Sequence, residues 1–549
     1  MKEEIQKFFK GDIQDDEATL RLYSHDASLF TVLPKLVVFP KDSADIQNLV
    51  KWVRENKSKD SSLSITIRAA GSCMSGGPLG ESIIVDVMKY MNHLGEIKID
   101  GTVVEPGVLY RDFEPKTLEK NLILPCYTAS KNMNALGGMI GNNCAGEKTL
   151  KYGKMEDYVL ESKVIFADGN EYTVKPLTKN ELEVKKNQND FEGSVYKNLS
   201  NLISANKKII NDARPNVSKN SAGYYLWNVV RPSGSNTEEI FDLNKLIVGS
   251  QGTLGLVTEA KIKLVKTDKT SKLFVIFMKD LTHLADLVNE VLPTNPDSLE
   301  TYDDATLKLA FKFFPEMLKS MKAKSFFKLI MSFIPEAFMM IRGGFPKLVV
   351  LVEYAGATEG EVNQKMSTLK SKISHFNFII RETKSEEESN KYWTIRRESF
   401  SLLRKHIKNS RTAPFVDDVV VRPGDMPKFL PEMKAVLDEY KLVYTIAGHA
   451  GNGNFHIIPL MDMHNHKNVR VIEEVGEKIY TLVAKYKGSI TGEHNDGIVR
   501  TPYLDKMYSK EVLDLFKKTK DIFDPHNILN PGKKVGGTIE YLTSHITLE

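Results

Sequence analysis

The sequence predicts an α+β protein of two domains: short apolar strands and glycine-rich turns fill the first half, two strand–helix repeats follow position 264, and 549 residues suffice for separate cores. Residues 1–33 are expected to form a helical segment. From Lys35 the order is an apolar strand (LVVFP), a turn (KDSAD), then Ile46, Leu49, Val50 and Val53 at helical spacing, which opens a β–α unit. Residues 64–68 lead as a strand into a Gly/Ser-rich turn, 83–87 form another strand, and 102–104 precede the turn-forming EPGV. After Leu264 the pattern resets to strand (LFVIFM, from Leu273) and helix (281–292), then strand (KLVVLVEY, from Lys347) and helix (359–373). Two such repeats are the signature of a ferredoxin-like, split βαβ domain. The main boundary is therefore expected near Thr267, dividing 34–267 from 268–515, with 516–549 as a closing segment.

Composition removes several function classes. A balance of 75 Lys+Arg against 71 Asp+Glu is too even over this length to suggest a nucleic-acid protein. Cys73, Cys126 and Cys144 lack CxxC spacing, which argues against a disulfide framework, a cysteine zinc site or an iron–sulfur cluster and points to a reducing compartment. The N-terminus is charged where a signal peptide needs an apolar core, and no stretch offers about 18 apolar residues in a row. A cytoplasmic location is expected.

The run IRAAGSCMSGGPLG (67–80) places Gly71, Gly76 and Gly77 between two strands, where backbone N–H groups can approach a pyrophosphate. It is not a GxGxxG opening a helix, so a nicotinamide-type site is not supported. Two further small-residue loops follow, PCYTASKNMNALGGMIGNNCAG (125–146) and GSQGTLGLVTEAKI (249–262). In this order and spacing the three loops resemble the FAD-binding domain of the vanillyl-alcohol-oxidase and p-cresol-methylhydroxylase (PCMH) flavoprotein family. The closing DIFDPHNILNPGK (521–533) resembles that family's segment returning to the FAD domain. The resemblance implies FAD. It assigns the pyrophosphate to Ala70, Gly71, Ser72, Cys73, Met74, Ser75, Gly76 and Gly77, and the isoalloxazine and ribityl side to Ser130, Gly137, Gly138, Asn143 and Gly146. Gly252, Thr253, Gly255 and Val257 would bracket the adenine half, with Asn530 joining from the closing segment. Departures stand at Cys126, Ala145 and Cys144, and no histidine lies in the first loop to link the flavin covalently.

Three of the twelve histidines sit in glycine-rich frames, AGHAGNGNFHII and GSITGEHNDGIVRTPYL. GNGN turns the chain so that His449 and His456 can converge, and Glu493 adds a carboxylate beside His494. Two imidazoles and a carboxylate with an open position suit a catalytic metal site, whereas isolated histidines more often are buried structural residues or loop caps. Spacing leaves both readings open. Both frames resemble the C-terminal half of the D-lactate, glycolate and D-2-hydroxyglutarate dehydrogenases. That resemblance assigns a divalent metal, zinc first with manganese or iron as alternatives, to His449, His456 and Glu493; it makes His494 the base and gives Asn454 a part in orienting substrate. A substrate carboxylate needs a bidentate cation. Arg396 is favoured by the resemblance, with Arg397, Arg411 and Arg500 as alternatives.

The implied reaction is oxidation of a small D-2-hydroxy acid, D-lactate first, with hydride passing to flavin and electrons leaving to a quinone, a cytochrome or an electron-transfer flavoprotein. A basic apolar insertion, 311–345, fits either a lid or a segment lying on the inner face of an anionic membrane. A homodimer is compatible with the sequence. Two rival readings are a flavin transferase resembling alkyl-dihydroxyacetonephosphate synthase and an electron-relay subunit.

Overall fold

The computed structural model describes residues 1–232, 238–313, 344–406 and 410–548, together with Glu316, Met331, Phe333, Ile334 and Glu336. The first sheet runs in the order Asp12–Gln14, Leu36–Phe39, Ile83–Asp86, Ile65–Arg68. Its last three strands are parallel, as β–α connections require. Helix Ser43–Asn56 lays Ile46, Leu49, Val50 and Val53 on this sheet, the stripe its spacing predicts. The N-terminal segment differs from expectation. Short helices Lys2–Ile5 and Glu17–Tyr23 flank a strand, Asp12–Gln14, which pairs antiparallel with Leu36–Phe39. The cause is local: the buried Asp45 carboxylate accepts from the backbone N–H of Lys10, Gly11 and Lys41, and Gly11 lies so close to the Phe39 carbonyl that a Cβ would stand 1.9 Å away.

A second, antiparallel sheet is ordered Thr102–Val104, Leu256–Ile262, Val159–Ile165, Glu171–Val174. These two sheets form the two halves of the first domain. Each has its own apolar core.

Among the described residues the third sheet has eight strands and begins Ile379–Glu382, Thr270–Met278, Leu348–Gly356, Ser298–Asp303, all antiparallel. With helices Leu284–Val291 and Glu359–Ile373 these strands are the split βαβ unit that the repeats predict. Leu348–Gly356 is buried at every position, as a central strand covered on both faces must be. Beyond the unit's Ser298–Asp303 edge the sheet continues into a hairpin, Val443–His449 with Asn454–Met461. That extension carries the glycine-framed histidines.

After helix Lys510–Phe523 the chain returns to the first sheet, where Ile65 N–H donates to Ile528 O (2.7 Å) and Asn530 N–H to Ile65 O (2.8 Å). Among the described residues no helix is long and apolar enough to cross a membrane. Most of the basic insertion, including Phe326, Phe327, Leu329, Ile330, Lys319, Lys322, Lys324, Lys328 and Arg342, lies outside the described residues. Of the remainder, Glu336 is buried and meets Lys391 (3.0 Å) and Arg381 (3.3 Å), while Phe333 packs with Trp393 in the core on that side of the sheet.

Candidate active site at the seam of the two domains

The hairpin register explains how two histidines seven residues apart converge. Ala447 pairs with His456 and His449 with Asn454, so His449 and His456 are diagonal neighbours on one face. Gly453, at φ +64°, makes the turn, and a Cβ there would stand 1.8 Å from Val421 O. The rings of His449 and His456 lie 5.2 Å apart, and His494 stacks on His456 at 5.1 Å.

All three imidazoles direct Nε2 toward Glu493. Its Oε1 is 3.4 Å from His449 Nε2, 3.4 Å from His456 Nε2 and 3.9 Å from His494 Nε2. Each Nδ1 is backed by a carboxylate: Glu300 at His449 (2.6 Å), and Asp417 at both His456 (3.1 Å) and His494 (2.6 Å). A carboxylate behind the far ring nitrogen fixes ring orientation and raises ligand basicity, the arrangement found around metal-bound histidines. His449, His456 and Glu493 offer ligand atoms within 4.8 Å of one another. Two neutral imidazoles and a carboxylate fit a divalent cation with an open position.

The electrostatics of the metal-free cluster agree. Burial alone would lower the His456 pKa, yet Asp417 and Glu493 outweigh it and push the imidazole up to about 10. Burial would likewise raise Glu493, but Lys219 and His449 hold it well below the usual carboxylate range. A cation at this point would replace protons that already sit among carboxylates.

One side chain shapes the segment bearing Glu493 and His494. Asp418 Oδ2 accepts from the Thr491 hydroxyl (2.7 Å) and from the consecutive N–H groups of Gly492 (2.8 Å), Glu493 (2.8 Å) and His494 (2.7 Å). Its Oδ1 takes the Asn454 amide (2.9 Å), whose oxygen in turn accepts from Lys219 (3.3 Å). Asn454 therefore braces the cluster from behind through both its amide nitrogen and its oxygen. Arg500 is placed similarly. Its guanidinium is fully buried and donates to the carbonyls of Ile490 (3.1 Å), Asn495 (3.0 Å) and Asp417 (2.6 Å).

The other arginines separate cleanly. Arg397 forks onto Glu147, with Nε 3.1 Å from Oε2. Arg411 is exposed on the edge strand Arg411–Thr412. Arg396, on helix Glu386–His406, has Nη2 3.3 Å from Glu300 Oε2 while its buried Nε has no partner. The cluster thus adjoins one under-committed guanidinium.

The glycine loops lie directly beside the histidines. Ser75 Oγ donates to His494 O (3.1 Å), and Ser75 O accepts from Ile498 N–H (2.7 Å). The Asn495 amide donates to Asn142 O (3.2 Å) and Gly249 O (2.9 Å). Asn530 ties Gly77 O (3.0 Å) to Gln251 O (2.7 Å). All three loops and the closing segment therefore meet at one place. Two glycines of the second loop have open surroundings: Gly138 is exposed and a Cβ there would reach only Ala69, 4.0 Å away, while one on Gly141 would come no nearer than 4.0 Å to Gln251. Buried Asn143, at φ 51°, has its Nδ2 without a partner. A cofactor that is planar and accepts hydrogen bonds fits this cradle.

Other assigned residues lie close by with packing duties. Gly137 abuts Pro106, Gly146 the Tyr127 carbonyl, Gly252 the Ile67 side chain and Gly255 that of Val164. Thr253 bonds Tyr224 (2.6 Å), and Val257 pairs with Val164 in the second sheet. Ala70, Gly71, Ser72, Cys73 and Met74 are half-buried along the first loop, and Ser130 bonds Thr128 (2.9 Å). Cys126 and Cys144 are buried. Glu300, Asp417, Asp418 and Lys219 were not foreseen; the paired aspartates inside the apolar run PFVDDVVV were the one available signal.

Residues 34–175 match the family described as "FAD binding domain", and residues 267–534 match "FAD linked oxidases, C-terminal domain". The chain belongs to the FAD-linked oxidases. This FAD-linked oxidase is 28% identical to a D-2-hydroxyglutarate dehydrogenase of Escherichia coli (strain K12) over 97% of its own length and 51% of that protein's. It thus spans about half the length of that relative. It is 26% identical to the glycolate oxidase subunit GlcD of Bacillus subtilis (strain 168), covering 95% of this chain and 93% of that one. With a D-lactate dehydrogenase of Archaeoglobus fulgidus the identity is 24%, covering 91% of each. Among solved structures, p-cresol methylhydroxylase with bound substrate superposes at a TM-score of 0.66 with 15% identity, over 96% of this chain and 94% of that chain. Alkyldihydroxyacetonephosphate synthase superposes at 0.65 with 14% identity, over 96% and 84%. At such identities the likeness establishes the shared PCMH-type fold.

Proposed function

We propose that this FAD-linked oxidase oxidises a small D-2-hydroxy acid to the 2-oxo acid, with D-lactate as the first candidate and D-2-hydroxyglutarate and glycolate next. Electrons would leave to an acceptor other than a nicotinamide: a quinone, a cytochrome or an electron-transfer flavoprotein. The observation that carries this reading is the convergence of three carboxylate-backed imidazoles on Glu493 Oε1, immediately beside the loops of the FAD domain.

His449, His456 and Glu493 would hold a divalent metal, which when bound makes the substrate hydroxyl more acidic. Bound FAD supplies the hydride acceptor. His494 takes the hydroxyl proton at Nε2, and Asp417 behind its Nδ1 stabilises the resulting imidazolium. Arg396 pairs with the substrate carboxylate through its unpartnered Nε and so fixes which face of the α-carbon meets the flavin cradle.

The test is an anaerobic absorbance titration with D-lactate, L-lactate, glycolate and D-2-hydroxyglutarate, before and after chelation. Bleaching of the flavin band by one D-acid, abolished by chelation and restored by zinc, is expected. Bleaching indifferent to chelation removes the metal from the reaction, and no bleaching by any acid removes the dehydrogenase reading.

A further inference from the structure

Lys219 is fully buried, comes from the FAD domain, and reaches across the seam with Nζ 2.7 Å from Glu493 Oε2 and 3.3 Å from Asn454 Oδ1. Its backbone has little freedom. Ser218 Oγ donates to Asn452 O (3.1 Å) in the histidine hairpin, Ser221 N–H to Thr491 O (2.9 Å), Ser221 Oγ to Gly492 O (2.8 Å), and Ser489 Oγ to Asn220 Oδ1 (2.6 Å). Residues 218–221 are stitched both to the hairpin and to the segment bearing Glu493.

The consequence concerns how many donor atoms Glu493 can give. A carboxylate can bind a cation through one oxygen or two, and a two-oxygen mode would consume the position that a catalytic site leaves open. Here the two oxygens are differentiated: Oε1 faces the three Nε2 atoms, and Oε2 is engaged by an ammonium on the far side.

We propose that Lys219 is a positioning residue of the metal centre, holding Glu493 Oε2 so that this carboxylate gives a single donor atom and one coordination position stays available to substrate. This rests on the metal reading above. A lysine that merely neutralised a buried carboxylate would leave the coordination mode unchanged on replacement, which makes the two roles separable.

The experiment uses the FAD-loaded full chain with Co2+ as the probe, read at wavelengths beyond the flavin band. Wild-type protein should show the intense ligand-field bands of four-coordinate Co2+, shifting on addition of pyruvate, a 2-oxo acid that cannot reduce the flavin. Lys219→Met should keep its flavin and bind Co2+, yet show weaker bands that ignore pyruvate, with turnover reduced about 10- to 100-fold. Lys219→Gln retains an N–H donor toward Glu493 and should recover part of the pyruvate response. Bands and response in Lys219→Met equal to wild type overturn the proposal. So do weak, six-coordinate bands in wild-type protein, a result needing no variant. Wild-type protein that takes up no Co2+ overturns the metal reading together with this inference, whereas Co2+-loaded protein indifferent to Lys219 overturns this inference alone.

Discussion

At the scale of single residues, the cluster's charges would make uptake of the proposed metal a proton exchange. In the metal-free protein the His456 imidazole, pushed up to about 10, carries a proton at neutral pH that a metal must displace. Affinity for a divalent cation should therefore rise with pH, by up to roughly tenfold per unit between about pH 6 and 8, with a proton released on binding. Competition with a chelator at both pH values checks this, and an affinity flat in pH would contradict it. Asp417→Asn should keep FAD but lower turnover about 10- to 100-fold, because it removes the negative charge behind both His456 and His494 and turns one of the two oxygens facing them into an NH2 donor. His449, His456, Glu493 and His494 were visible in the sequence because glycine frames are unusual around histidine. Their carboxylate supports were not, since Glu300 in SLETYD has the appearance of any solvent-facing strand residue and gains its meaning only when Thr301 pairs with Gly448. Asn454 and Arg500 stand out in the same frames, and the structure adds what the sequence does not show, the contacts each makes with Asp418 and with backbone carbonyls.

At the scale of elements, the hairpin is the part most sensitive to one atom. Gly453→Ala would force a Cβ against Val421 O at a left-handed backbone position, and strain of this kind costs about 1–3 kcal/mol before the clash is added. The variant should unfold at lower temperature and lose the divalent metal proposed for His449, His456 and Glu493, while a measurable share of FAD remains. Calorimetry with metal analysis after loading with Zn2+ reads both, and uptake equal to wild type would show that the turn does not set the histidine geometry. Strands and helices of the split βαβ unit were legible from period and turn residues. Their continuation into the hairpin was not, because edge pairing between Ser298–Asp303 and Val443–His449 joins residues as far as 147 positions apart in the chain and leaves no local pattern. The N-terminal strand was hidden likewise, resting on the Asp45 carboxylate.

At the scale of the whole molecule, the two domains are joined by a charge pair as well as by the strap at Lys219. Burial would raise the Glu147 carboxyl, but Arg397 from the other domain, with help from the Tyr127 hydroxyl (2.9 Å), pulls it down to about 2. The group is depressed relative to the unfolded chain, so its stabilisation is fully present above about pH 4.5 and is lost as pH falls toward about 2. Arg397→Met should cost up to about 3 kcal/mol near neutrality by leaving a buried carboxylate unpaired, and should flatten the loss of stability across that acid window. Denaturant titrations at pH 6 and pH 3.5 measure it, and an unchanged acid slope in the variant would refute the assignment.

The return of residues 528–534 has a bearing on biosynthesis. Ile65 pairs with Leu529, Asn530 ties the first glycine loop to the third, and Lys534 reaches the carbonyls of Ser221 and Gly223. The cradle opened at Gly77 is thus finished by Asn530, 453 positions later in the chain. Cofactor capture therefore waits for that segment to be made, and a chain cut before residue 528 should be released colourless.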